Sequence, residues 1–387
     1  MAQQQPVQQL DAVSFLSLTK PKRMAFARGN SYTDGQTQRF QLPQAGLTDK
    51  IILAVQCTVT VAGTVTGGTF NGFGQGNPAP WSILKRFQFY SNNSLYLMDI
   101  SGYGLYKYVR YRTGMDPIAN VAVNYSPNTL TALGVNQSSN KIVAGAAVAA
   151  GTYTFNFVLE IPVAYNQMGV RGMLSLQNNN TIYNTALQWG QITSGITATG
   201  GSNDLFNGLT GTGLTVTANI ATYQCIDFWD VPNINPVALG ELLSTYKSVT
   251  EYQQTPLVSG NNQYRPPQND LYTMLLLEII NNGTQVTPAN IQNPTWIHSG
   301  NAYDMVEDYP TMLARDYFQH GIPGMDGMIA YDLGMRRGIA QQRDLLDAFN
   351  DQSITNLTIQ WTHPSTMTVT GVNQVNIVAE SLNVFGG

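Results

Sequence analysis

Apolar and polar residues alternate along most of the chain, the period-two pattern of strands with one buried face. "KIILAVQCTVTV" (Lys50–Val61) opens on a dense apolar run and alternates from Ala54 onward. "GTYTFNFVLEIPV" (Gly151–Val163) sets Tyr153, Phe155 and Phe157 on one face, and "LTVTANIATYQCIDFWDV" (Leu214–Val231) is a long run of the same texture. "ILKRFQFYSNNSLYLMDISG" reads as a hairpin with Asn92 and Asn93 at its turn, where positive φ suits Asn. Strand texture sets in at about Thr37, with "RFQLP" first, and returns in the second half in "VTEYQQTPLV", "DLYTMLLLEIINN", "GMIAYDLG", "NLTIQWTH" and "VNQVNIVAESLNVF".

The period changes in a few places. Leu105, Tyr108 and Val109 in "YGLYKYVRYR" (Tyr103–Arg112) are spaced for a short helix that stops at Asp116-Pro117. "MVEDYPTMLARDYFQHG" predicts a helix after Pro310, closed by Gly321, and "AQQRDLLDAFN" (Ala340–Asn350) predicts another. Leu10–Leu18 could form one or two helical turns. The Pro/Asn cluster "PNINP" marks a domain boundary. The predicted organisation is an arm over residues 1–29 and two all-β domains, 30–231 and 232–387. Each carries about seven or eight strands, which suggests Greek-key or jelly-roll sandwiches. Residues 119–151 and 191–213 read as long loops between strands.

Composition changes this picture in one respect. Charged residues make up 11% of the 387 residues, with net charge −4, while 43% are hydrophobic and 10% aromatic. Ordinary globular chains carry about 25% charge. A surface this neutral, rich in Asn, Gln, Ser, Thr and Gly, is expected to lie against other copies, because interface cores are depleted of charge; a neutral polar surface on a secreted β-protein is the other reading. Cys57 and Cys225 read as buried free thiols, as in a protein made in cytoplasm. The N-terminus lacks the basic start and apolar core of a secretory signal, and no apolar run reaches the length of a membrane helix.

Candidate chemistry is sparse. His298, His320 and His363 lie far apart, no Cys/His spacing suits zinc, and "GFGQGNPAP" lacks the context of a phosphate loop. No catalytic residue, cofactor or metal is expected. The alternative function, carbohydrate binding or glycan hydrolysis, would need two acids facing across a cleft. Its candidates are Glu160, Asp227, Asp230, Glu278, Glu307, Asp308, Asp326 and Asp332, of which Asp227 and Asp230 flank Trp229. The five tryptophans read rather as core or interface anchors. Lys20, Lys22, Arg23 and Arg28 could touch a membrane or another acidic surface, or sit on a solvated linker. Lys107, Arg110 and Arg112 interleave with Tyr103, Tyr106, Tyr108 and Tyr111. That texture fits single-stranded nucleic acid, yet the chain is acidic, and Tyr and Arg are enriched at protein contacts. Tyr106, Arg110 and Arg112 are therefore candidate subunit contacts, with no specific nucleic acid expected.

Several stretches together resemble the double jelly-roll major capsid proteins of the tectivirus kind, from membrane-containing icosahedral phages. They are "SYTDGQTQRFQLPQAGLTDKIILAVQCTVTV", "LKRFQFYSNNSLYLMDISGYGLYKYV", "LEIPVAYNQMGVRGMLSLQNNNTIYNTALQW", "CIDFWDVPNINP" and "MLARDYFQHGIPGMDGMIAYDL". The resemblance implies two consecutive eight-stranded jelly-roll barrels with short inserted helices. It further implies homotrimers that tile an icosahedral virion shell as pseudo-hexagonal capsomers, contact with neighbouring capsomers and with minor capsid and vertex proteins, and an N-terminal arm at the inner base near an internal membrane. In that setting Pro162–Gly172 is a corner between strands, and Asn178, Asn179 and Asn180 are further candidate subunit contacts without net charge.

Overall fold

The computed structural model describes residues 19–29, 32–92, 94–115, 117–123, 144–165, 172–177, 180–230, 245–254, 257–267, 271–298, 301–302, 308–332, 349–350 and 357–384. The first half runs β1 (Pro21–Arg28), β2 (Thr37–Gln41), β3 (Leu47–Phe70), β4 (Leu84–Ser91), β5 (Leu95–Ile100), helix α1 (Gly102–Thr113), β6 (Ile118–Val123), β7 (Gly151–Pro162), β8 (Leu174–Ser175), β9 (Tyr183–Trp189), β10 (Ile196–Thr197), β11 (Gly200–Gly201) and β12 (Phe206–Trp229). The second runs β13 (Thr245–Gln254), β14 (Gly260–Tyr264), β15 (Leu271–Asn281), β16 (Thr284–Gln285), β17 (Gln292–His298), β18 (Asn301–Ala302), helix α2 (Tyr309–His320), β19 (Met328–Asp332), β20 (Phe349–Asn350), β21 (Leu357–His363) and β22 (Gln374–Val384).

These strands form three sheets. Sheet 1 has the order β10-β11-β12-β3-β7-β6, with β1 on β12 and β8 on β3. Sheet 2 has the order β16-β15-β22-β13-β5-β4-β9-β2, with β19 and β20 on β15, and sheet 3 has the order β14-β21-β17-β18. Sheet 2 therefore draws strands from both halves. The seam is parallel, with Val249 opposite Met98 and Thr250 opposite Asp99.

Alternation on the strands fixes which face each core occupies. Met98 and Ile100 of β5 share the first core with Val249, Met274, Leu276 and Val378. Leu275, Leu277, Ile279 and Ile377, one residue out of phase on β15 and β22, belong to the second core with Ile359 and Trp361 of sheet 3. Sheets 1 and 3 thus cover opposite faces of the shared sheet. Helix α1 takes the place beside sheet 1, over the second half's strands.

Local chemistry sets α1 in this slot. The Ser101 hydroxyl caps it by accepting from Gly104 N at 2.9 Å, and Gly114, with φ of 66°, ends it in the left-handed region. Its first residue runs against backbone: a Cβ on Gly102 would stand 2.3 Å from the carbonyl oxygens of both Leu84 and Trp81.

The expected hairpin, α1 and the Pro310–Gly321 helix are present. Three expectations are corrected. Residues 21–28 are not arm but a strand, paired along β12 from Pro21–Trp229 to Arg28–Tyr223. Residues 191–213 are not a loop: they hold β10, β11 and the start of β12. Of the helix expected over Ala340–Asn350, Phe349 and Asn350 pair instead with Tyr272 and Leu271. The rest of that helix lies outside the described residues, as do residues 1–18, 124–143, Asn93 and the boundary cluster.

Candidate functional site

The polar residues with the richest geometry lie at the junction of the halves. Lys107 Nζ is 2.9 Å from Glu278 Oε2 on β15, and the Tyr103 hydroxyl and Gln285 Nε2 each donate to Glu278 Oε1 at 2.8 Å. One turn on, Arg112 Nε donates to Glu380 Oε2 of β22 at 3.0 Å, and the Tyr108 hydroxyl to the same atom at 2.6 Å. Thr273 Oγ1 donates to Glu380 Oε1 at 2.7 Å, and Lys247 Nζ to the Tyr108 hydroxyl at 2.7 Å. Burial pushes the Glu278 carboxyl up, but Lys107 and the surrounding hydrogen bonds outweigh it and hold the group below the usual carboxylate range. Burial likewise disfavours charge on Arg112, and Glu380 reverses the balance and raises it.

This arrangement corrects the reading of α1 as a subunit contact. Tyr106 is 3% exposed and stacks on Trp81 with centroids 4.5 Å apart. Arg110 Nη2 donates to Pro323 O at 2.6 Å, and Arg112 also donates to Tyr165 O. The sequence showed a cationic, tyrosine-rich helix but not that its acids lie on strands 171 and 268 residues further along. A Glu within the apolar "MLLLEII" was the one available signal, since a buried charge calls for a partner.

A second cluster closes one end of the first sandwich. Arg23 Nε and Nη2 grip Asp227 at 2.6 and 2.9 Å, Lys50 Nζ lies 2.8 Å from Glu160 and 3.3 Å from Asp227, and Lys22 pairs with Asp230 at 2.5 Å. Burial raises the Asp227 carboxyl, and the Arg23 and Lys50 contacts lower it further than that. Arg28 lies 5.3 Å from the centre of the Tyr223 ring, and Lys20 is exposed with no ion pair among the described residues. Of the four basic residues, then, two are spent on intrachain ion pairs. Four of the eight carboxylates weighed for catalysis are consumed too: Asp227, Asp230, Glu160 and Glu278 each hold a cation, while Glu307 lies outside the described residues. Among the described residues no group of three or more His, Cys, Asp or Glu could hold a metal. Cys57 and Cys225 are free and buried.

The outward faces of sheets 1 and 3 differ from both clusters. In sheet 1 the register stacks Thr217, Thr60 and Thr152 in one row and Asn219, Thr58 and Thr154 in the next, Thr154 itself being buried. In sheet 3, Gln263, Gln360 and the buried Thr295 form one row and Asn261, Thr362 and Gln292 another. Asn180 is exposed, and its carbonyl accepts from Asn92 Nδ2 at 3.3 Å; Asn178 and Asn179 lie outside the described residues.

No protein-family model and no curated protein matches the sequence. Solved structures do match, along nearly the whole chain. The major capsid protein of the Sulfolobus turreted icosahedral virus is 13% identical with a TM-score of 0.61, covering 95% of this chain and 97% of that one. The Faustovirus major capsid protein is 11% identical at 0.55, covering 94% and 90%, and the PBCV-1 virus capsid is 11% identical at 0.54, covering 95% and 94%. The likeness establishes the fold: this chain is a double jelly roll.

Proposed function

We propose that this chain is a major capsid protein, a coat subunit that assembles as pseudo-hexagonal homotrimers into an icosahedral virion shell. The observation that carries the reading is the length of the match. Both sandwiches correspond within a single chain, over 95% of it and 97% of a viral major capsid protein. The physical chemistry supports it. The ionisable groups of α1 are spent inside the chain at the junction, which makes the two sandwiches one block, while the broad outer faces carry Thr, Asn and Gln that can meet another copy without desolvating charge. In this reading the chain is made in the host cytoplasm, performs no catalysis and binds no specific nucleic acid. Its partners are itself, neighbouring capsomers and minor and vertex proteins, and the end bearing Lys20 and β1 faces the shell interior. The tectivirus kind in particular rests on the sequence resemblance.

Size-exclusion with light scattering, followed by electron microscopy, tests it. A species at three times 42.3 kDa that tiles into hexagonal arrays or shells is expected. A chain that stays monomeric at high concentration and binds glycans would refute it.

A further inference from the structure

The Glu278 carboxylate has one neighbour more than its ion pair needs. In the β15–β22 ladder it stands directly opposite Asn376, and Asn376 Nδ2 donates to its Oε2 at 3.3 Å. Lys107 Nζ reaches the same oxygen from α1 at 2.9 Å. One carboxylate oxygen therefore holds an amine and a carboxamide at once. All three side chains are inside the molecule: Lys107 is 1% exposed, Glu278 0% and Asn376 6%.

Charge balance does not call for Asn376. Lys107 alone neutralises Glu278, and Tyr103 and Gln285 occupy the other oxygen. By strand alternation Asn376 shares its face with the buried Met274, Leu276 and Val378. An amide there carries a desolvation cost that an apolar side chain would not. Its two ends are also placed for a reaction. Gln374 Nε2 donates to Asn376 Oδ1 at 3.2 Å, which polarises the carbonyl, while the amide nitrogen faces the acid. The three groups thus supply a nucleophile, an electrophilic carbon and a proton carrier.

We propose that Lys107 and Asn376 join in an intramolecular isopeptide bond, formed once by the folded chain with Glu278 relaying the protons. The Lys107 ammonium first gives a proton to Glu278 Oε2, an exchange within the pair that moves no net charge and that burial favours. The neutral amine closes to about 3 Å from Asn376 Cγ and adds to it. As the Nζ–Cγ bond forms and the Cγ–Nδ2 bond breaks, Glu278 passes its proton to Nδ2 and takes the second from Nζ. Ammonia leaves. Glu278 ends protonated, so no unpaired charge stays inside once the lysine has become an amide. Nothing is oxidised or reduced, and no co-reactant enters. The bond ties α1 of the first half to the last strand of the second, and a monomer forms it as readily as an assembled copy.

Mass spectrometry of the purified full chain tests it. The intact mass should lie about 17 Da below the sequence mass, the loss of one ammonia. A succinimide at an Asn-Gly step loses the same mass, so peptide mapping decides: the peptide holding Lys107 should be found joined to the one holding Asn376. Lys107→Arg, which keeps a cation beside Glu278, should restore the full mass and abolish the link. Glu278→Gln, which cannot relay the proton, should lower the joined fraction about tenfold or more in chain shown folded by circular dichroism. Should either variant fail to fold, the map of the unchanged chain still decides. A folded unchanged chain with the two peptides separate would overturn the proposal. So would a link from Lys107 to Gln285 instead, or a joined fraction undiminished in folded Glu278→Gln.

Discussion

Lys107 Nζ stands 2.9 Å from Glu278 Oε2, with the two side chains 1% and 0% exposed. One charge belongs to a helix of the first half and the other to a strand of the second. Neither half could keep its member buried without the other, so the halves should unfold together. Removing one partner leaves an uncompensated buried charge, at a cost of about 3–5 kcal/mol, whereas replacing both with apolar groups of like volume is near neutral. Lys107→Met alone should therefore destabilise by that amount. Lys107→Met with Glu278→Leu should recover part of the loss, limited by the Tyr103 and Gln285 groups left without their acceptor. Chemical denaturation of the single and double variants measures the difference, and equal losses in both would refute the coupling.

The seat of α1 is tight at its first residue. A Cβ at position 102 would lie 2.3 Å from two carbonyl oxygens, both backbone and neither able to rotate away. Gly102→Ala, which raises intrinsic helix propensity, should nonetheless destabilise by about 1–3 kcal/mol through overpacking. A gain in melting temperature would show that α1 has room to slide.

Much of the fold was legible because alternation reports local structure directly. Phe155, Phe157 and Leu159 are all buried on one face of β7, as their spacing requires. The Asn282-Gly283 turn between β15 and β16, with φ of 51° and 73°, goes unread in the sequence, where the run reads only as a strand. What the sequence hid was long-range. β1 looks like a charged linker because Lys22 and Arg23 find Asp230 and Asp227 only once β12 lies beside them. The Gly- and Thr-rich start of β12 looks like a loop because its partner, the far end of β3, is more than 130 residues earlier in the chain. The α1 cations looked like contact residues for the same reason.

Asp49 predicts a pH dependence. It is the extra residue where β3 bulges against β12: Thr48 faces Phe228 and Lys50 faces Asp227. Its carboxyl is buried, with Oδ1 lacking a hydrogen-bond partner among the described residues. Burial raises it to about 6, with Asp227 adding to the rise and Lys50 opposing it. A carboxyl raised on folding stabilises the fold when protonated, so its contribution is full below about pH 4 and lost as pH rises through about 6. Asp49→Asn should therefore stabilise by about 2–3 kcal/mol at pH 7 and change little at pH 4. Urea midpoints at the two pH values decide it, and an equal effect at both would assign the cost to packing.

His363 works in the opposite direction. Its Nδ1 lies 2.6 Å from Asn290 O, and its Nε2 accepts from Trp361 Nε1 at 3.2 Å. Both contacts require a neutral ring with its proton on Nδ1. Burial lowers the imidazole below the usual histidine range, against the Asn290 hydrogen bond, which raises it. A base depressed on folding contributes stability above its unfolded value of about 6.5, and that contribution is lost as pH falls below it. Acid should thus loosen the second sandwich at the Trp361–His363 contact while it relieves Asp49 in the first. His363→Phe should cost about 1–2 kcal/mol at pH 7, because the Trp361 and Asn290 groups lose their partner, and should flatten the acid limb of the stability curve. Melts monitored by tryptophan fluorescence between about pH 7 and 5 separate the terms. In the Asp49→Asn background the His363 slope stands alone, and if it persists unchanged in the His363→Phe/Asp49→Asn double variant, another group carries it.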